Sequence, residues 1–388
     1  MALTDIPRDT TGRHLALLVV ATFAAFANYA VLLPVVSAWA AHGGADATGA
    51  GLTTTAFMVT TVLTQAVVPA AGRRLGYRTT FGVGTAVMVL PTLAYALTAA
   101  LPALVTISAV RGVGFGLLSV SGSALVAELA PPARRGRASG LYGLGVALPN
   151  VFLVPAAVAV VDTIGYPTLF VAITAVPLAA VAVLALPRTP AVAGDHDGPA
   201  PVRGPVARRF AGPVGVMLPV AVAATAVITF APLALPGAAP TALLVFGAAA
   251  LVARWVAGHV ADRYPRAPGL LPGAVLAAAA GLAVLALAAY LADVRTVLAV
   301  VGALLLGAGF GTAQNQTLVV LFHRAGPGRH GTASAVWNMA LDSGTGIGGV
   351  LLGAVATHTA YPYAFVLTGA LLLCCLPLSR TRQRRVRD

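Results

Sequence analysis

The arginines of this chain fall in every second gap between long apolar runs. There is no lysine, so Arg supplies all 24 basic residues. One set of gaps takes Arg8 and Arg13, then Arg73, Arg74 and Arg78, then Arg134, Arg135 and Arg137. The same set continues with Arg188, Arg203, Arg208 and Arg209, then Arg263 and Arg266, then Arg324 and Arg329, and ends in a tail from Arg380 to Arg387. The alternate gaps carry only Arg295. Short loops rich in Arg stay on the cytoplasmic side of a membrane, so this alternation predicts a polytopic membrane protein with both termini in the cytoplasm.

Composition agrees with that constraint. Charged residues are 9% of the chain and hydrophobic ones 59%, whereas soluble domains carry about a quarter charged residues. The net charge of +13 is split among short loops without an aromatic–basic platform, which argues against nucleic acid as a partner. Attraction to anionic lipid headgroups accounts for the basic tail better. The two cysteines, Cys374 and Cys375, are adjacent within the last apolar run, and the seven histidines are scattered. Neither pattern has the spacing of a metal site or a disulfide framework, so no metal and no cofactor is expected. The apolar run 15–40 ends in Ala38-Trp39-Ala40, which imitates a secretory cleavage site. It is about twice the length of a signal core and reads as a retained first helix.

A helix needs about 20 apolar residues to cross a bilayer. Twelve segments qualify: 15–40, 51–71, 80–100, 103–128, 138–161, 166–187, 212–235, 241–262, 270–292, 296–322, 331–357 and 361–379. The polar stretch 188–210, rich in Pro, Gly, Asp and Arg, reads as a flexible cytoplasmic linker. It separates an N-terminal six-helix bundle, 1–187, from a C-terminal one, 211–388, that carries the basic tail.

The two halves are related in sequence. A shift of 195 places Gly112-Val113-Gly114-Phe115-Gly116 over Gly307-Ala308-Gly309-Phe310-Gly311 without a gap. Pro132, Arg134, Gly136, Ala138 and Ser139 then overlie Pro327, Arg329, Gly331, Ala333 and Ser334, and about ten of thirty positions match. Parallel repeats of six helices characterise one large class of carriers, whose sites lie at the repeat interface.

With these features the chain resembles the major facilitator superfamily along nearly its whole length. The family has a G-x-x-x-D-R-x-G-R-R turn between helices two and three and a variant between helices eight and nine. Gly258, Asp262, Arg263 and Arg266 match the second copy, with Pro265 replacing a Gly; Arg74, Gly76 and Arg78 match the first, where Pro69 and Arg73 replace the first Gly and the Asp. The resemblance implies that these turns gate the cytoplasmic ends of the helices. It also implies a fold: an all-α membrane protein with 12 transmembrane helices in two parallel-repeat six-helix bundles. Related carriers work as monomers, and the Arg-only, Ala/Gly/Val-rich composition points to a bacterial plasma membrane.

Ionisable residues inside spans are costly in lipid and mark function. Arg111 lies about nine residues, roughly 13 Å, into the fourth span, followed by Gly112, Gly114 and Gly116. The family's fourth helix carries an Arg before spaced glycines, at a spacing differing by a residue. Asp342 is the one acid well inside a span, and its repeat mate is Ala147, so the scaffold does not demand the charge. A carboxyl there suits a group that loads and releases a proton. Each has a plainer reading: Arg111 bonded to backbone carbonyls, and Asp342 capping a bent, glycine-rich helix. Arg111 and Asp342 at similar depth form a candidate switchable pair for proton coupling or substrate charge. Asn28, Tyr29, Gln65, Asn150, Gln314, Asn315, Trp337 and Asn338 are candidates for the substrate cavity, although any one alone serves helix–helix hydrogen bonding equally well. Arg254, one turn before Gly258, reads as a snorkelling side chain or a support for the gating turn.

The expected function is therefore a secondary carrier, not an enzyme, that moves a small organic molecule by alternating access, with protons as coupling partner. Drug–proton antiporters of the family have a Gly-Pro in a glycine-rich fifth helix. Here only Val154-Pro155 stands at that place, and Asn28 stands where many of them have an acid in helix one. Proton-coupled efflux is the favoured direction; import of a sugar, organic acid or nucleoside by symport or uniport is the alternative.

Overall fold

The computed structural model describes residues 8–130, 135–175, 205–263, 269–325 and 330–379. Every regular element among them is helical, as the long apolar runs require: in lipid each backbone N–H must find its partner within its own segment.

The chain separates into two compact units, one comprising Met1–Gly43 and Ala56–Gly198, the other Gly44–Thr55 and Pro199–Asp388. In the first unit, α1 (Arg8–His42) is followed by the later part of α2 (Ala47–Gln65), whose start up to Thr55 belongs to the second unit, then by α3 (Val68–Leu75) and α4 (Tyr77–Val89). A 3-10 segment (Leu90–Leu97), α5 (Leu101–Leu129), α6 (Arg135–Leu148), α7 (Val154–Ile164) and α8 (Tyr166–Ala175) complete it. The second unit holds α9 (Pro205–Ile228), the short α10 (Ala231–Ala234), α11 (Ala239–Arg263) and α12 (Leu271–Tyr290). It continues with α13 (Arg295–Ala325), α14 (His330–His358), α15 (Tyr361–Cys374) and the short α16 (Leu376–Ser379).

Among the described residues nine helices are long and apolar enough to span a membrane, and the bent pair α2–α3 forms a tenth candidate. The shorter apolar helices Tyr166–Ala175 and Tyr361–Cys374 occupy the two remaining positions expected from hydropathy. The described helices are consistent with the twelve expected spans, nine or ten of them at full crossing length, and the sixth is described only to Ala175. Residues 188–204 of the expected linker and the tail from Arg380 lie outside the described residues.

Prolines shape several spans in different ways. At the end of α2 the chain turns by 57° into α3, with Pro69 in the first turn of the new helix, where its missing N–H costs nothing. Pro91 opens the 3-10 segment that ends the third span. In the fifth span Pro149 opens a π turn, Pro149–Leu153, in which the Val154 N–H reaches back to the Pro149 carbonyl. Pro219 sits inside α9 without ending it.

The packing repeats itself. In the first unit α5 lies along α4, and in the second α13 lies along α11 and α12. In α5 a Cβ at Gly112 would collide with the carbonyl of Phe57, one at Gly116 with that of Thr61, and one at Gly114 with the α4 backbone at Gly84 and Met88. In α13 the equivalent Gly307, Gly311 and Gly309 meet the carbonyls of Phe246 and Ala250 and the α12 backbone at Ala274 and Ala278. Each Gly-x-Gly-x-Gly is therefore a frame that lets two neighbouring helices approach at backbone distance. The Phe57–Phe115 rings, with centroids 5.5 Å apart, and the Phe246–Phe310 rings, also 5.5 Å apart, complete the correspondence.

Candidate functional site

In the first unit the frame carries a cation. Arg111 projects from α5 one residue before Gly112 and is 3% exposed. Its Nε donates to the Met88 carbonyl at 3.0 Å, Nη2 to Asn28 Oδ1 at 3.0 Å, and Nη1 to the Tyr95 hydroxyl at a longer 3.4 Å. The guanidinium also lies 5.5 Å from the Phe57 ring centroid and 5.4 Å from that of Tyr95, within the range of cation–π attraction. Neutral dipoles and ring faces thus surround it from α1, α2, α4 and the 3-10 segment.

The partners of Arg111 are themselves fixed. Asn28 donates its amide to the Ile173 carbonyl at 3.2 Å and, weakly, to Thr92 Oγ1 at 3.4 Å. The Tyr95 hydroxyl shares a 2.7 Å hydrogen bond with Ser108. Tyr29, one residue on from Asn28, stacks on Phe115 at 4.0 Å with 9° between the ring planes. Three expected site residues, Asn28, Tyr29 and Arg111, therefore meet in one cluster. Phe57, Tyr95 and Phe115 belong to it as well; sequence reasoning missed them because aromatic residues in apolar runs are indistinguishable from packing.

The other candidates of this unit lie elsewhere. Gln65 is buried in the last turn of α2. Asn150 sits in the π turn, and its amide donates to the Val146 carbonyl of its own helix at 3.0 Å. Gly76 has φ +80 and joins α3 to α4, a conformation that glycine adopts without a Cβ penalty. Arg74 is exposed in the last turn of α3, and Arg78 is half-buried at the start of α4.

The second unit holds a different polar group. Trp337 of α14 is 5% exposed, and its indole N–H donates to Thr317 Oγ1 of α13 at 3.0 Å. Thr317 in turn donates to the Ala313 carbonyl at 2.7 Å. Arg254 of α11 extends over this indole, its guanidinium carbon 5.7 Å from the ring centroid, and Nη1 reaches Gln314 Oε1 at 3.4 Å. The expectation that Arg254 snorkels or braces the gating turn gives way here: the side chain points across to α13 and α14. Position alone could not reveal this, because an Arg one turn from a basic helix end has the same pattern in either case.

Asn315 lies beside Gly258, where a Cβ would come within 3.2 Å of the Asn315 amide nitrogen, and its buried Oδ1 has no hydrogen-bond partner. Asn338 is exposed and donates to the Ser334 carbonyl of its own helix at 2.9 Å. Asp342 is 7% exposed, five positions beyond Trp337 on α14. Below it, Gly344 and Gly348 allow α14 to approach α9 at Leu218 and Thr225. Arg263 is exposed at the end of α11, whereas Arg266 and the side chain of Asp262 lie outside the described residues. No group of three or more His, Cys, Asp or Glu that could hold a metal occurs among the described residues.

Apolar helices in a duplicated frame, with isolated charges inside it, coincide with a known sequence family. The description Major Facilitator Superfamily matches residues 18–349 and, in a second match, 242–387. The chain belongs to the major facilitator superfamily. It is a transporter and a multi-pass membrane protein in consequence. Among curated proteins none matches it.

Solved major facilitator structures share the fold. A bacterial homologue of the human lysosomal transporter Spinster, inward-facing and unoccupied, is 16% identical with a TM-score of 0.78, covering 96% of this chain and 97% of that one. The xylose transporter XylE from E. coli, in a partially occluded inward-open conformation, is 15% identical with a TM-score of 0.74, covering 97% and 99%. A point mutant of the nucleoside transporter NupG is 12% identical with a TM-score of 0.72, covering 94% and 98%. At such identities the likeness concerns the fold alone. Arg111, Arg254 and Asp342 each occur in one repeat only: Leu306, Gln65 and Ala147 stand at the equivalent places.

Proposed function

We propose that this major facilitator protein is a proton-coupled exporter of a small organic molecule, working by alternating access in a bacterial plasma membrane. The observation that carries the reading is Asp342, an acid 7% exposed in the middle of a 29-residue helix. A carboxyl kept at that depth without a scaffold requirement, since Ala147 fills the equivalent place, suits a proton carrier. Arg111, bonded within the first unit to Met88, Tyr95 and Asn28, would hold its part of the substrate path in shape. Asn28, Tyr29 and Gln65 in the first unit, and Gln314, Asn315 and Trp337 in the second, would each meet the substrate from their own unit. The turns at Arg74, Gly76 and Arg78 and at Gly258, Asp262, Arg263 and Arg266 would gate its cytoplasmic end.

Import is a second reading on two grounds. The fifth span has Val154-Pro155 where antiporters of the family have Gly-Pro, and structural relatives include a xylose and a nucleoside transporter. The test uses cells expressing the wild type or Asp342→Asn, loaded with organic cations, anions and sugars. Accumulation is followed before and after collapse of the proton gradient. Export predicts lower accumulation with the wild type, lost on collapse and in the variant. Higher accumulation would establish import, and an unaffected variant would reduce Asp342 to a packing residue.

A further inference from the structure

Arg254 is an intramembrane cation that the coupling scheme does not use. It lies nine positions before Arg263, about 13 Å along the helix at helical rise, within the membrane-spanning part of α11. We propose that Arg254, set over Trp337 and beside Gln314, anchors the charged group of an organic oxyanion, a carboxylate or a phosphate ester, carried by this protein. The proposal rests on the transport reading above and adds the substrate class.

The donor inventory comes first. A guanidinium offers five N–H donors. At Arg254 one of them makes a single long bond, 3.4 Å to Gln314 Oε1, and the ring face of Trp337 takes part of the charge. Among the described residues no carboxylate lies within ion-pair distance. Arg254 is exposed as a residue, and that one bond leaves four of its five N–H donors without a hydrogen-bond partner among the described residues. Arg111 is the opposite case: 3% exposed, with three different nitrogens engaged and an aromatic ring on two sides. The charge of Arg111 is enclosed by its own unit, whereas that of Arg254 is presented. A planar fork of uncommitted donors matches the two oxygens of a carboxylate or phosphate.

The repeat provides an internal control. The contacts of Phe57 with Gly112 and of Phe246 with Gly307 align α2 with α11 at a shift of 189, which puts Gln65 in the place of Arg254. At the shift of 195, Tyr142 stands for Trp337, Ser119 for Gln314 and Gly122 for Thr317. The first unit preserves the arrangement in neutral form: the Tyr142 hydroxyl lies against Gly122 and donates to the Ser119 carbonyl at 3.5 Å. The frame therefore folds with a neutral amide at this place, and packing does not call for the cation. The platform beneath it is also held still, since the indole is buried and tied through Thr317 to the α13 backbone. A charge held by a fixed platform and left open on its outer side is a preorganised anchor.

The test is equilibrium binding of radiolabelled benzoate to the purified full chain at fixed ionic strength, with phenyl phosphate and benzamide as competitors. Saturable benzoate binding is expected, displaced by benzamide only at concentrations at least about ten-fold higher than unlabelled benzoate. Displacement by phenyl phosphate at lower concentration than benzoate would assign the site to a phosphate ester; the reverse order assigns it to a carboxylate. Arg254→Gln, the residue of the other repeat, should weaken benzoate binding about ten-fold or more, with Arg254→Lys between the two. An unchanged thermal midpoint confirms that Arg254→Gln is folded. Absence of benzoate binding to the wild type, equal competition by benzamide, or an undiminished affinity of Arg254→Gln would each overturn the proposal. Counterflow of benzoate in proteoliposomes tests the transport reading separately: binding without counterflow would sink that reading and leave the anion site standing.

Discussion

Arg111 donates through Nη2 to Asn28 Oδ1 across α5 and α1, while the amide of the same Asn28 donates onward to the Ile173 carbonyl. A single side chain thus accepts from the buried cation and ties it to a third helix. Asn28→Leu removes that acceptor and should destabilise the protein by about 3 kcal/mol, the cost of leaving a buried charge short of a partner. The double variant Asn28→Leu/Arg111→Met should recover most of the loss, because it removes the cation as well. Thermal unfolding in detergent of the two single variants and the double variant measures this coupling; additive losses would show that the bond is energetically idle.

The glycine frame gives a matched pair of stability effects. Gly112→Ala and Gly307→Ala would each push a methyl into a phenylalanine carbonyl, Phe57 and Phe246 respectively. Each is expected to cost about 1–3 kcal/mol through overpacking. Gly143 has nothing near its Cβ direction, so Gly143→Ala should stay within about 0.5 kcal/mol of the wild type. Apparent unfolding midpoints of the three variants, measured side by side, decide it.

Within the second unit the start of α2 is bound closely to α14. Thr48 donates from its backbone N–H and from its hydroxyl to Thr357 Oγ1, both at 2.9 Å, and Thr55 Oγ1 donates to the Gly346 carbonyl at 2.7 Å. Hydroxyl oxygens at that distance place the two Cβ atoms within disulfide reach. Thr48→Cys/Thr357→Cys, in a chain with Cys374 and Cys375 replaced by Ala, should therefore crosslink on mild oxidation. The fraction of free thiol should fall on oxidation and return on reduction; a pair that stays reduced would show that the contact is not kept.

Asp342→Asn should separate coupling from translocation. Exchange of substrate down no gradient should persist, while uptake or export driven by an imposed pH difference should vanish. Proteoliposomes preloaded with substrate, assayed with and without a pH step, distinguish the two. Loss of both activities would instead place Asp342 in the binding or packing of α14.

The sequence disclosed the helices and the duplication because both are written in patterns that lipid enforces. Apolar length and Arg position require no tertiary knowledge, and Gly112 to Gly116 repeats in Gly307 to Gly311 because backbone contact tolerates nothing larger. Arg111, Asn28 and Tyr29 were each legible as polar groups inside apolar runs, but the sequence matched Arg111 with Asp342 and not with Asn28, its partner in the fold. The direction of a side chain was not legible. Asn150 and Asn338 look like cavity residues in the sequence, yet their amides bond to carbonyls of their own helices. The bend after Gln65 was hidden within a continuous apolar run. Arg254 was disguised by its nearness to the basic end of α11, and only the position of Trp337 on another helix reveals where it points.

The doubled glycine frame has a consequence for how such a chain can change. Leu306 and Ala147 stand where Arg111 and Asp342 have their repeat mates, and Gln65 stands opposite Arg254. Two inherited copies of one backbone arrangement have been given unlike chemistry, each charge appearing in one copy only. Because the close contacts rest on glycine and main-chain atoms, under the proposed roles a substitution at a charged position alters recognition by that half while the glycine contacts it shares with the other stay in place. A lineage built this way can acquire new cargo by altering one side chain at a time, on a skeleton that its ancestors had already made twice.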